Sequence, residues 1–89
     1  MLLTASAVFS LMHFIAKREG FYHAGSLPQR NNNPCALVYA GQVAALPGRS
    51  KHSLAWFPTA ADGWLACERD IRKKDARGGS FHRAWEYLR

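Results

Sequence analysis

Glu19-Gly20-Phe21-Tyr22-His23-Ala24-Gly25-Ser26-Leu27-Pro28-Gln29-Arg30-Asn31-Asn32-Asn33-Pro34 joins an acid at the end of an apolar segment to a dense polar stretch that cannot continue it. Upstream, residues 4–19 read as a helix. On a helical repeat the polar Ser6, Ser10, His13 and Lys17 fall on one line, and Val8, Met12, Ile15 and Glu19 fall on another. Gly20 supplies the stop. Glu19 continues the core-facing row, so the pattern predicts a carboxyl at the edge of the interior. Partial desolvation raises the pKa of such a group, and a carboxyl that keeps its proton near neutral pH can act as a general acid. The competing reading is an ordinary surface glutamate paired with Arg18 or Arg30.

Downstream, Pro28 and Pro34 forbid a continuous helix through residues 21–34. Three successive asparagines before a proline can bond to nearby backbone and hold tight turns without regular structure, and Arg30 brings a fork of donors to tie the segment down. A solvated polar linker is the alternative that composition allows. Phe21, Tyr22 and Leu27 argue for an ordered loop.

Beyond the loop, Ala36–Ala40 reads as a short strand ended by Gly41, and Ser53–Phe57 as a second ended by Pro58. The Pro47-Gly48-Arg49-Ser50 cluster between them is a turn, so the pair reads as a hairpin. Thr59 with Asp62 forms a near capping box that opens a helix running to about Asp75, with Ala60, Trp64, Cys67 and Ile71 as its apolar row. Gly63 inside that helix costs about 1 kcal/mol relative to alanine and implies close approach by another segment. Gly78-Gly79 ends it. Ser80 then caps a last short helix with Phe81, Ala84, Trp85 and Leu88 on its docked face. The fold expected is α+β and mainly helical, with a small β-hairpin and an ordered Asn-rich loop, in a single domain over residues 1–89.

A chain of 89 residues builds one modest core, and 48% apolar residues exclude a disordered basic tail. A net charge of +6 and a pI near 9.9 imply an anionic partner: nucleic acid, an acidic membrane, or the acidic polymers of a bacterial envelope. Apart from Arg69–Arg77 the basic residues are spread out, and no nucleic-acid-binding signature is present. A small basic nucleic-acid binder therefore rests on charge alone, and no nucleic acid is expected. Cys35 and Cys67 have no metal-type spacing with each other or with the four histidines, so no metal or other cofactor is implied. Buried free thiols are the default for them, and a disulfide is the alternative in an exported protein. Met1–Ala16 is shorter than the roughly 20 residues that span a bilayer and lacks the basic start of a signal peptide, which makes it a core helix. An export or anchor role is the alternative, since Lys17 and Arg18 close an almost uncharged run.

The series Ile15-Ala16, Glu19-Gly20-Phe21, Gly25-Ser26, Gln29-Arg30-Asn31-Asn32-Asn33-Pro34, Leu37, Tyr39-Ala40-Gly41-Gln42, Phe57-Pro58, Asp62-Gly63-Trp64 and Arg77-Gly78 resembles small lysozyme-like, transglycosylase-like proteins of bacteriophages and bacteria. The likeness covers about residues 14–79, and its most specific part is Arg-Asn-Asn-Asn-Pro preceded by Glu-Gly at a helix end. It implies a lysozyme-like fold, cleavage of the glycan strands of peptidoglycan by a monomer at the bacterial cell wall, and a catalytic acid at Glu19. It also implies a substrate site in which Ser26, Gln29, Arg30, Asn31 and Asn33 shape the floor and Tyr39, Gln42 and Trp56 contact sugars. The chain departs from that family where Pro34-Cys35-Ala36-Leu37 replaces Pro-Gly-Asn-Leu. If the missing glycine needs a positive φ, Cys35 strains the loop. A non-catalytic wall-binding or virion structural protein on the same scaffold is the alternative this favours.

Counting acids bears on the reaction. A two-carboxylate glycosidase needs a second Asp or Glu across the scissile bond, yet nothing acidic lies between residues 20 and 61. Asp62 is explained by capping, and Glu68, Asp70 and Asp75 lie among arginines and lysines. A single acid can suffice where the muramic acid's own 6-hydroxyl attacks, as in lytic transglycosylases. The expected product is then a 1,6-anhydromuramoyl sugar and not a reducing end.

Overall fold

The structure is a computed structural model that describes residues 2–48 and 53–78. Within them the chain is mainly helical. Helix α1 (Ala5–Arg18) begins at Thr4, whose hydroxyl accepts the Ala7 N–H at 3.1 Å. It ends in a Schellman turn: Gly20 takes a left-handed φ of +81°, the Phe21 N–H reaches back to the Ala16 carbonyl and the Gly20 N–H to that of Lys17. Helix α2 (Leu27–Arg30) is one turn, capped by Ser26, with Pro28 in the first turn where its missing N–H costs nothing. Helix α3 (Ala60–Ala76) is capped by Thr59, whose hydroxyl accepts the Asp62 N–H at 3.1 Å and donates to the Asp62 carboxylate at 2.9 Å.

α1 and α3 pack together through Val8, Leu11 and Met12 on one side and Cys67 and Ile71 on the other. A second face of α3 presents Ala66 to Ala55 and Phe57. Because α3 is covered on two sides, its buried set differs from the expected row. Cys67 and Ile71 are buried and Trp64 half-buried, but Ala60 is exposed and Gly63 and Ala66 are buried in its place.

The two segments expected to form the hairpin do pair antiparallel, but through an isolated bridge and not as regular strands. Val38 pairs with Leu54 in an antiparallel bridge, but Leu46 also pairs with Trp56, so the segment around Leu54–Trp56 is flanked on both edges by isolated bridges. The backbone groups alternate. Ala55 donates to Leu37 at 2.8 Å and Phe57 to Asn31 at 2.9 Å, whereas Trp56 exchanges bonds with Leu46 at 2.8 and 3.1 Å. Longer pairing is blocked where Ala36 (φ +52°) and Gly41 (φ +74°) leave the extended region. The last short helix expected at Ser80–Leu88, and the Arg49-Ser50 half of the turn, lie outside the described residues.

The asparagine run is an ordered loop. Asn33, fully buried, donates from its amide to the Leu37 and Ala55 carbonyls at 2.9 and 2.7 Å and accepts the Leu37 N–H at 2.9 Å. Asn32, in a left-handed conformation that asparagine tolerates, donates to the Phe57 carbonyl at 3.0 Å. The loop also touches α3. A Cβ on Gly63 would collide with the Asn32 carbonyl oxygen, which supplies the close approach that glycine implied. The free-thiol default for the cysteines is overturned: Cys35 and Cys67 form a disulfide with their Cα atoms 5.6 Å apart. Their sequence separation of 32 makes the crosslink worth about 4 kcal/mol in a chain-entropy account.

Arg30 does not tie the loop down; its side chain is exposed and bonds to no described residue. Replacing Asn33 by Ala should therefore cost roughly 2–4 kcal/mol, because buried backbone partners lose their bonds, while Arg30→Ala should stay within about 0.5 kcal/mol of wild type. Urea unfolding of the two variants measures both.

Candidate functional site

The expected site residues divide into those the fold uses internally and those it leaves open. Ser26 donates its hydroxyl to the Gly20 carbonyl at 2.7 Å and accepts the Gln29 N–H at 3.3 Å as the α2 cap. Gln29 accepts the Gly25 N–H at 2.8 Å. Gln42 closes its own turn, accepting from the Ala40 N–H and donating to the Val38 carbonyl, both at 2.8 Å. Asn33 is wholly interior. All four hold backbone of the framework through these bonds, and none of them lines the cleft between α2 and the central extended segment.

Arg30, Asn31 and Trp56 are brought together. They line an open cleft of about 580 Å³ with Leu27, Ser53 and Leu54 between α2 and the central extended segment. The Trp56 indole N–H donates to the Pro47 carbonyl at 3.1 Å, which fixes the ring and leaves 43% of the residue exposed. What it offers a ligand is chiefly a carbon surface. Among the described lining residues Arg30 carries the only charge. Tyr39 is exposed but does not line this cleft, and Gln42 lines a different one, about 430 Å³, beside Cys35, Ile71 and the Asp70–Lys74 ion pair. Leu54 could have been foreseen: two residues from Trp56 on an extended segment, it shares that face. Leu27 carried no comparable signal.

Glu19 is exposed, which corrects its expected place at the edge of the interior. The buried row of α1 ends at Ala16, and beyond the Schellman turn it is Phe21 that folds inward, its ring 5.4 Å from that of Trp64. Trp64 also packs at a tilt against His13, with ring centroids 4.9 Å apart, and the His13 Nδ1 lies 2.8 Å from the Tyr22 hydroxyl, so aromatic rings cover this end of the helix. Neither Arg18 nor Arg30 neutralises Glu19. The Arg18 guanidinium lies 5.9 Å over the Phe14 ring. The other described acids are committed: Asp62 to the α3 cap, Glu68 to Arg72 and Asp70 to Lys74 at 2.9 Å each, and Asp75, buried, to the Leu3 N–H at 2.8 Å. Glu19 is the one described carboxylate with neither hydrogen bond nor ion pair.

Glu19 and the cleft share the loop that joins them. Ser26, the residue before the cleft-lining Leu27, holds the carbonyl of Gly20, the residue after Glu19. No group of three or more His, Cys, Asp or Glu side chains that could hold a metal occurs among the described residues, and no described helix is long and apolar enough to cross a membrane. Comparison with protein-family models, curated proteins and solved structures finds no match to this chain.

The strain expected at Cys35 falls instead on its neighbour. Positive φ occurs at Ala36 (+52°), the position where the resemblance places asparagine, a residue that tolerates this region better than alanine. Ala36→Gly should stabilise the protein by about 1 kcal/mol. An upward shift of the thermal midpoint of the disulfide-intact protein measures it.

Proposed function

We infer that this chain cleaves the glycan strands of peptidoglycan on a lysozyme-like scaffold, with Glu19 as its single acid. The observation that carries this reading is the uncommitted carboxylate of Glu19 at the end of α1, at the start of the loop whose Leu27, Arg30 and Asn31 line the cleft with Trp56. Net charge of +6 suits an anionic wall. The Cys35–Cys67 disulfide suits an oxidising compartment, where such walls lie.

In this mechanism Glu19 gives its proton to the glycosidic oxygen as the bond from muramic acid C1 breaks. The carboxylate then takes the proton of that sugar's 6-hydroxyl as its oxygen closes on C1. A 1,6-anhydro ring forms, Glu19 regains its proton, and no water enters. This route uses no second carboxylate, and the other described ones, Asp62, Glu68, Asp70 and Asp75, are engaged elsewhere. The exposure of Glu19 requires the bound strand itself to exclude water from the carboxyl.

A second reading, a wall-binding protein without catalysis, is favoured by that same exposure. Mass spectrometry of purified sacculi digested by wild type and by Glu19→Gln separates the two. Wild type should release anhydromuropeptides, and the variant, with unchanged circular dichroism, should lose at least about a hundredfold in rate. Binding without any released product from either protein selects the wall-binding reading, and equal release by both removes Glu19 as the acid.

A further inference from the structure

We propose that the second cleft, beside Ile15, takes the 2-acetamido group of a wall sugar, and that the Gln42 carboxamide is the specificity residue that recognises it. This rests on the glycan reading above and names a chemical group for it. The cleft reaches the element that carries the acid. Ile15 lines it, and the Glu19 N–H donates to the Ile15 carbonyl at 2.8 Å. Glu19 keeps helical backbone angles as the cap of α1, so it follows Ile15 by one turn on the same side of the helix. At about 430 Å³ the cleft falls in the range of roughly 300–1,000 Å³ usual for small-ligand sites. Its walls are tied together, since Cys35 on the loop side is bonded to Cys67, one helical turn before the lining residue Ile71.

Gln42 is held in one orientation. Its Oε1 accepts the Ala40 N–H and its Nε2 donates to the Val38 carbonyl, each at 2.8 Å, and these partners admit only one assignment of the two atoms. The side chain makes no other bond among the described residues. One N–H and one lone pair therefore remain on a half-buried, pre-positioned carboxamide. Around it Ile15, Leu37 and Val38 give the cleft apolar walls. An acetamido group brings both complements, an amide for the carboxamide and a methyl for the apolar walls. A sugar hydroxyl in the same place brings only a hydrogen bond.

Two uncharged trisaccharides probe the site: chitotriose, with an acetamido group on each unit, and cellotriose, with hydroxyls in their place. NMR titration of the full disulfide-bonded chain reads both Kd values. The Ile15 methyl and Gln42 side-chain amide resonances report this cleft, and the Trp56 indole N–H reports the other. Wild type should bind chitotriose about tenfold more tightly than cellotriose, with shifts at Ile15 and Gln42. Gln42→Met should remove most of that preference; the backbone groups it releases belong to the exposed Val38 and Ala40, where water can replace the bonds. Ala40→Leu narrows the cleft while keeping both Gln42 bonds, which are to backbone, and should have the same effect if Gln42→Met disturbs the turn. Equal binding of the two sugars by wild type overturns the assignment and leaves the glycan reading standing. A preference that survives in both variants does the same, as do chitotriose shifts confined to Trp56. An N-acetylated dipeptide without sugar that saturates Ile15 and Gln42 as tightly as chitotriose assigns the cleft to the peptide of the wall, and also overturns it. Absence of sugar binding beside release of anhydromuropeptides from sacculi overturns the inference alone. Absence of both removes the glycan reading and the inference with it.

Discussion

The buried carboxamide of Asn33 substitutes for the secondary structure that this part of the chain lacks. Its three bonds, to both backbone groups of Leu37 and to the Ala55 carbonyl, join a turn to an extended segment that has only isolated bridges to hold it. Asn31 and Asn32 extend the same function by bonding to the two backbone groups of Phe57. The asparagines thus tie consecutive parts of the loop to one strand, satisfying backbone that would otherwise be buried without partners. The cleft depends on it. Arg30 and Asn31 on one wall and Leu54 and Trp56 on the other keep their separation because this set of bonds fixes loop against strand.

The same loop is clamped to α3 at a second place. Gly63 meets the Asn32 carbonyl, and Cys67, one helical turn further on, is bonded to Cys35. Contacts one turn apart on a helix and three residues apart on the loop lay the segment along a single helix face, with Pro34 also close to Gly63. A chain of 89 residues has little core with which to hold a loop of this length, and a covalent clamp is a common remedy in small domains. Rigidity has a local cost, seen in the left-handed Ala36 beside the bonded cysteine.

Helices α1 and α3 were legible in the sequence because their signals are local: Thr59 with Asp62 at the start of α3, Gly20 and Gly78 at the ends, and apolar residues at helical spacing between. Gly63 was legible as well, since glycine inside a helix calls for a neighbour. The disulfide was not, because the distance between Cys35 and Cys67 depends on how the loop lies on α3. Glu19 misled for a related reason. Its spacing continues the apolar row correctly, but periodicity carries no information on where the partner element ends, and α3 offers Trp64 to Phe21 in its place. Ser26, Gln29, Asn33 and Gln42 are residue types that suit binding and turn-making equally well. Their bond partners, all backbone groups, show the turn-making use, which spacing alone does not display.

The separation of Glu19 from the cleft constrains how the proposed chemistry would be organised. The cleft lining includes Leu27 and Arg30 but not Glu19, and the two are connected through the bond from Ser26 to the Gly20 carbonyl. One turn of α2, about 6 Å along its axis at 1.5 Å per residue, lies between the cap and the Arg30 end of the cleft. A single sugar stacked on Trp56 would therefore occupy the cleft without presenting its glycosidic bond to the carboxyl. A strand long enough to pass over the start of α2 would reach both, and its passage would supply the water exclusion that the protein does not provide at Glu19. On the proposed reading, binding by the cleft and proton transfer by Glu19 are distinct functions of one strand. On that reading affinity should saturate with short oligosaccharides and turnover should require longer ones, because binding energy gathered at Trp56 and Arg30 would become useful at the acid only through the connected chain of the substrate.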